Sequence, residues 1–226
     1  MNALLLALAL SPAADAAPTA AGVVRSREWV VRRGEKREEE FVGDVRYESA
    51  GIKLTADWAL YQHASKSWKA RGSIVVVRRL EDGTVLEARG ETASFAEDGR
   101  GGVLLPAPGG RVRFKRQPPD GSEPDLGEGD RLDWTDTDKA VLSGNARVSG
   151  PRADGWADTA TWERATGAIT LGGGRPVLRK KEGEWTLAIK AEQVSATEAP
   201  RRVASQGKVR GWLQFHDAEK LKRLAR

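Results

Sequence analysis

The sequence predicts an all-β fold built from repeated antiparallel hairpins, and three observations carry that prediction. Leu54–Tyr61 alternates apolar and polar residues, turns over 63–67 and resumes at Trp68–Val77. This is the period-two pattern of strands with one buried face. The same unit returns as Gly155–Trp162, a turn at 163–167, and Ala168–Gly172. Composition agrees: 25 glycines, and eight tryptophans against four phenylalanines and two tyrosines, suit short strands divided by tight turns.

In chain order, Met1–Leu10 is an apolar run followed by Ala14 and Ala16 in an Ala-x-Ala pattern. Residues 1–16 are therefore read as a cleaved signal peptide, although no Lys or Arg precedes Arg25. The run is roughly half of the ~20 residues a spanning helix needs. Residues 17–40 read as a charged leader, with one edge strand around Trp29–Val31 and a solvated charged turn after it. Charge on an edge deters unwanted pairing. From Phe41 the strand pattern takes over, through Phe41–Tyr47 into the first hairpin.

The next unit is Thr84–Phe95, a turn at 96–102, and Val103–Leu105; Arg111–Lys115 then alternates strictly. Gln117–Gly129 is a Pro/Gly/acidic loop. Because Asp130–Thr135 and Ala140–Val148 resume the pattern, 41–213 is read as one domain. Trp185–Val194 and Val203–Leu213 form the last expected hairpin. Residues 214–226 are read as a basic tail, with a short C-terminal helix capped by Asp217 and Leu221 and Leu224 on one face.

The formal net charge is +5 and the pI about 9.6. That excess is small and no nucleic-acid motif accompanies it, so nucleic acid is not an expected partner. Anionic lipid or glycolipid phosphate fits a modest basic excess. Absence of cysteine excludes disulfides, thiolate metal sites and a cysteine nucleophile. His63 and His216 have no companion ligand motif. Asp133, Asp136 and Asp138 span a strand end and a turn and read as surface acids. Gly172–Gly174 lacks the Lys-Ser/Thr of a phosphate loop. No enzyme, metal or cofactor is expected.

The pattern Ala-Asp-x-Ala-x-Tyr/Trp, a turn, then a Gly-Asn/Ser step recurs. It stands at Ala56–Tyr61 with Ala70–Val75, and at Ala157–Trp162 with Ile169–Gly172. Its second half also appears at Leu142–Val148 and Ala204–Val209. Over about Phe41–Leu213 the chain resembles the OstA/LptA-like family of lipopolysaccharide transport proteins, with the LptC-like relatives, which share the fold, as second choice. The resemblance implies a half-open, V-shaped β-jelly roll in the periplasm that carries lipopolysaccharide acyl chains. It also implies edge-to-edge strand association with inner-membrane LptC-like and outer-membrane LptD-like jelly rolls, or with further copies of itself. The 117–129 loop departs from the minimal family pattern. A structural or adhesive β-module without cargo is the alternative, and a carbohydrate-active enzyme is a distant third.

The expected groove residues are the alternating rows Leu54, Ala56, Trp58 and Leu60; Ile74 and Val76; Ile169 and Leu171; and Leu187, Ile189 and Ala191. Arg78, Arg79, Arg113, Lys115, Arg179 and Lys180 are the expected rim, placed to meet phosphates through charge-assisted hydrogen bonds. A bulge would exchange the two faces of a strand, and Thr55, Asp57, Ala59 and Tyr61 form the competing row.

Overall fold

The computed structural model describes residues 22–34, 37–49, 51–135, 139–151, 153–197 and 202–215. The signal-peptide and C-terminal-helix expectations lie outside those residues. The described chain is all-β, with eighteen strands in one continuous sheet. They are β1 (Val23–Arg25), β2 (Glu28–Arg32), β3 (Glu38–Ser49), β4 (Ile52–Gln62), β5 (Ser67–Arg79) and β6 (Val85–Ala96). Next come β7 (Gly101–Leu105), β8 (Val112–Gln117), β9 (Asp125–Gly129), β10 (Arg131–Thr135), β11 (Lys139–Ser149) and β12 (Ala153–Glu163). The last are β13 (Ala168–Gly172), β14 (Val177–Glu182), β15 (Trp185–Lys190), β16 (Gln193–Thr197), β17 (Arg202–Gln206) and β18 (Arg210–Phe215).

The long strands bend. Pairing registers shift between Val42 and Val45 in β3, Thr55 and Trp58 in β4, Arg71 and Ile74 in β5, and Ser143 and Ala146 in β11. Each bend divides a strand between two walls. The first wall runs β2, the front of β3, the back of β4, the front of β5, the back of β6, then β7, β10, the front of β11, the back of β12, β13, β16 and β17. The second runs β1, then the complementary halves of β3, β4, β5 and β6, then β8, β9, the back of β11, the front of β12, β14, β15 and β18.

A recurrent corner makes the bends. Gly43-Asp44, Gly72-Ser73, Gly144-Asn145 and Gly207-Lys208 all have positive φ at both residues, as does the run Gly173–Arg175. Glycine adopts this left-handed backbone at no steric cost. An acid on the neighbouring strand packs on most of these corners. A Cβ at Gly72 would lie 2.3 Å from Asp57 Oδ2, one at Gly144 2.3 Å from Asp130 Oδ2, and one at Gly207 2.3 Å from Glu192 Oε2. Asp158 sits likewise against Gly173 and Gly174. The recurring Ala-Asp and Gly-Asn/Ser motifs are therefore the two sides of one hinge line crossing the sheet.

Several boundaries differ from expectation. The leader holds two strands, β1 and β2, and β3 begins at Glu38 within the expected charged turn. Its acids have cross-strand partners: Glu39 pairs with His63 Nε2 at 2.7 Å, and Gln62 Nε2 donates to Glu38 Oε1 at 2.9 Å. The 117–129 loop ends in β9. The two strands of the last expected hairpin are each broken in two, at Ala191-Glu192 and at Gly207-Lys208. There the Glu192 amide donates to the Gln206 and Gly207 carbonyls at 3.0 and 2.9 Å.

Candidate binding groove between the two walls

The inner face of the first wall is two parallel rows of side chains in register. Beside the hinge stand Phe41, Ala59, Ala70, Ala93, Leu104, Leu132, Leu142, Ala160, Leu171 and Val194, all buried. Each Leu or Phe so buried contributes about 1.5–3 kcal/mol. Farther out runs Tyr61, Trp68, Phe95, Gly102, Trp134, Ala140, Trp162 and Ile169. Small residues in this row make room for large neighbours: a Cβ at Gly102 would meet Trp134 Cζ2 at 2.3 Å. The second wall answers with Tyr47, Leu54, Val76, Ala88, Phe114, Gly127, Val148, Gly155, Leu178 and Ile189.

Between the walls the space is unequal. At the N-terminal end Trp68 contacts Phe41, Tyr47, Tyr61 and Phe95, with ring centroids 4.8–6.3 Å apart. Tyr47 and Trp68 come from opposite walls, so this aromatic cluster plugs that end. Beyond it lies an apolar cavity of about 110 Å3, bounded by Leu54, Val76, Phe95, Leu104, Phe114, Trp134 and Trp162. A second space of about 760 Å3 opens between β8, β9, β14 and β15 on one side and β12, β13, β16 and β17 on the other. Ile169, Leu171, Leu178, Leu187 and Val194 line it, and residues of the 117–129 loop form one lip.

The expected groove residues fall into two groups. Leu54, Ala56, Ile74, Leu171 and Ala191 are buried inside, and Val76, Ile169, Leu187 and Ile189 also lie on inward rows. Trp58 and Leu60 do not; this corrects the expected row. The bulge between Thr55 and Trp58 exchanges the faces of β4, so Ala59 and Tyr61 turn inward instead. On the outside Trp58 donates its indole N–H to Glu40 Oε1 (2.7 Å) and stacks under the Arg71 guanidinium at 4.3 Å. Leu60 stands between Glu40 and Lys69.

The rim divides in the same way. The outermost inward row of the second wall contains Ile52, Arg78, Leu86 and Arg116, and farther along Lys180 and Leu187. Arg78 borders the smaller space, and Arg116 and Lys180 the larger. Arg79, Arg113, Lys115 and Arg179 have the opposite parity and face outward, which corrects their expected place on the rim. Arg179 is occupied there: it donates to Asp154 Oδ2 at 2.5 Å and lies over the Trp156 ring. That bond, with a second from Ser149, holds the Asp154 carboxyl below the usual range. Arg116, one residue from the expected Lys115, was missed because only strand parity separates them; Arg116 also pairs with Asp125 at 2.8 Å.

Polar side chains at the first wall's outer end form a pairwise network. Tyr61 donates to Glu97 Oε1 at 2.7 Å, and burial, then that bond, push its hydroxyl up to about 12. Its ring meets His63 edge-on at 4.7 Å. Asp133 is paired with Arg131 at 2.6 Å, while Asp136, Asp138 and His216 lie outside the described residues. Among the described residues no group of His, Asp or Glu is arranged to hold a metal ion.

No family model matches the chain, and no curated protein matches it in sequence. Among solved structures it is similar to LptH from Pseudomonas aeruginosa, the LptA-homologous periplasmic component of a lipopolysaccharide transport device. The match has 15% identity over 54% of this chain and 82% of that one. The TM-score is 0.47.

Proposed function

We propose that this protein is a periplasmic carrier that holds the acyl chains of lipopolysaccharide between its two walls and passes them on through its sheet edges. The observation that carries the reading is the apolar space of about 760 Å3 between β8–β9–β14–β15 and β12–β13–β16–β17, with Arg116 and Lys180 at its border. A trough of this kind needs no specialised polar chemistry, since each buried CH2 contributes about 0.8 kcal/mol. Arg78, Arg116 and Lys180 are placed for the phosphates of the sugar head.

The family resemblance of the hairpin motifs supports the same reading. The edges suit association with LptC-like or LptD-like jelly rolls or with a second copy, by added strand pairing. β2 leaves Trp29, Val30 and Val31 exposed at one end; Val203, Trp212 and Leu213 are exposed at the other. Cargo is held toward the C-terminal end, because the Trp68 cluster fills the other.

Photocrosslinking in cells tests the proposal. A probe at Leu187 or Ile169 is expected to capture lipopolysaccharide and a probe at Trp58 is not. Absence of adducts at every inward position overturns the carrier and leaves the structural or adhesive module.

A further inference from the structure

On the outer face of the second wall, one residue away from the inward row on each strand, a single row of side chains runs in register from β1 to β18. Three of its cross-strand pairs join like charges: Arg25 with Arg46, Arg89 with Arg113, and Lys190 with Arg210. Arg147 is a seventh cation, and Glu128 is the row's one acid among the described residues. All the cations but the half-buried Lys190 are exposed. Like charges directly opposite each other destabilise a sheet. Arg89 and Arg147 make ion pairs, with Glu87 at 2.6 Å and Glu128 at 3.5 Å. Arg46, Arg113, Lys190 and Arg210 have no ion pair among the described residues. The neighbouring surface is balanced instead. In the next row Lys53 pairs with Glu48 at 2.9 Å and Arg179 with Asp154 at 2.5 Å, and outside the first wall Arg131 pairs with Asp133 at 2.6 Å.

We propose that this row is a docking face for a bilayer leaflet rich in anionic phospholipid, against which the outside of the second wall lies. The proposal goes beyond the carrier reading and is independent of what the groove holds. An anionic leaflet attracts each lysine or arginine brought near its surface. Arginine also takes a phosphate through two parallel N–H bonds. A phosphate seated at each like-charged pair turns three repulsions into attractions. The cations are spread across a sheet face whose strands lie about 4.8 Å apart, so the face is too broad to enter a DNA major groove about 12 Å wide. A leaflet sets no such limit. Trp212, 52% exposed, stands on the same outer face opposite Ala188. Indole rings settle at the headgroup level of a bilayer.

The test floats the full chain with vesicles of phosphatidylcholine alone, or of phosphatidylcholine mixed equally with phosphatidylglycerol. The wild-type chain should bind the mixed vesicles at least about tenfold more tightly. About 1 M NaCl, where the screening length is about 3 Å, should remove that preference. Arg46→Gln/Arg89→Gln/Arg210→Gln should weaken binding to the mixed vesicles about a hundredfold, at roughly fivefold per cation removed. Arg46→Glu/Arg89→Glu/Arg210→Glu should weaken it further. In both variants every like-charged pair is relieved, so both should fold, which thermal melting checks. Lys69→Glu/Arg71→Glu/Arg131→Glu makes the same charge change outside the first wall. It should stay within about threefold of wild type, because the walls stand about 10 Å apart and the screening length in physiological salt is about 8 Å. Equal losses in the two glutamate triples, binding retained by a folded glutamine triple, no preference for the mixed vesicles, or tighter binding of a DNA duplex than of those vesicles overturns the proposal. Acyl-probe capture at Ile169 or Leu187 reads the carrier separately, since none of these substitutions lies in the groove.

Discussion

The hinge line makes a quantitative prediction at Gly144. Its φ is +75°, and a Cβ there would lie 2.3 Å from Asp130 Oδ2 and 2.6 Å from Asp130 Cβ. For Gly144→Ala the left-handed backbone costs about 1–2 kcal/mol. The contact adds roughly 1–3 kcal/mol, because Asp130 Cβ belongs to a strand boundary and cannot swing aside as a carboxylate tip can. The expected destabilisation is therefore about 2–5 kcal/mol. Asp130→Gly removes the obstructing atoms and keeps the Asp130 amide, which donates to the Ser143 and Gly144 carbonyls at 2.8 and 3.2 Å. Its loss of the pair between the exposed Asp130 carboxylate and the half-buried Arg111 at 3.4 Å costs about 1 kcal/mol. The double variant should then be more stable than the sum of the singles by at least about 1 kcal/mol. Urea unfolding followed by tryptophan fluorescence measures all three. A Gly144→Ala cost under about 0.5 kcal/mol, or strict additivity, refutes the reasoning.

Other perturbations follow from the same geometry. Leu104 is fully buried beside the hinge, so Leu104→Ala should cost about 2–5 kcal/mol in the same unfolding assay. Because the folded-state pKa of Tyr61 is raised to about 12 from 10.0, its contribution is complete below pH 10 and is lost as pH rises toward 12. Stability measured across that interval should fall less steeply in Tyr61→Phe. Glutamate at Arg78, Arg116 or Lys180 should weaken capture of a phosphorylated amphiphile severalfold in a pull-down, whereas glutamate at Arg79 or Arg113 should not, since those two face outward. Ile169→Asp should abolish acyl-probe binding and Trp58→Phe should leave it unchanged; equal effects would contradict the assignment of faces.

Strand content was legible because alternation survives along most of β4 and β8. What alternation cannot reveal is where parity flips. Leu54 and Ala56 point inward by simple counting, but the bend before Trp58 inserts an uncounted step and sends Trp58 and Leu60 outside. The signal for that bend was present in Asp57 and in Gly72-Ser73 across from it, yet these residues read equally well as ordinary strand positions. The same parity separates Lys115 from Arg116 and Arg179 from Lys180, pairs that are equivalent in charge. Ile169, Leu171, Leu187 and Ile189 lie in β13 and β15, whose pairings run without a register shift, so counting and the structure give the same parity there. The unequal interior was illegible for another reason: Trp68 of β5 fills one end through contacts with Tyr47 of β3 and Phe95 of β6, three strands that no local pattern brings together.

Because both walls are folded from the same ribbon at one line of corners, the interior has independently adjustable length and width. Among the described residues each wall is twelve strands across, and at about 4.8 Å per neighbour the ribbon extends roughly 50 Å. Inserting one more hairpin with its acid and its glycine step would lengthen the interior by about 10 Å without disturbing any existing corner. Exchanging small for large residues within one rung would narrow it at that rung alone. Such a chain can grow or shrink by whole hairpins, as a repeat array does, while its ends stay the same.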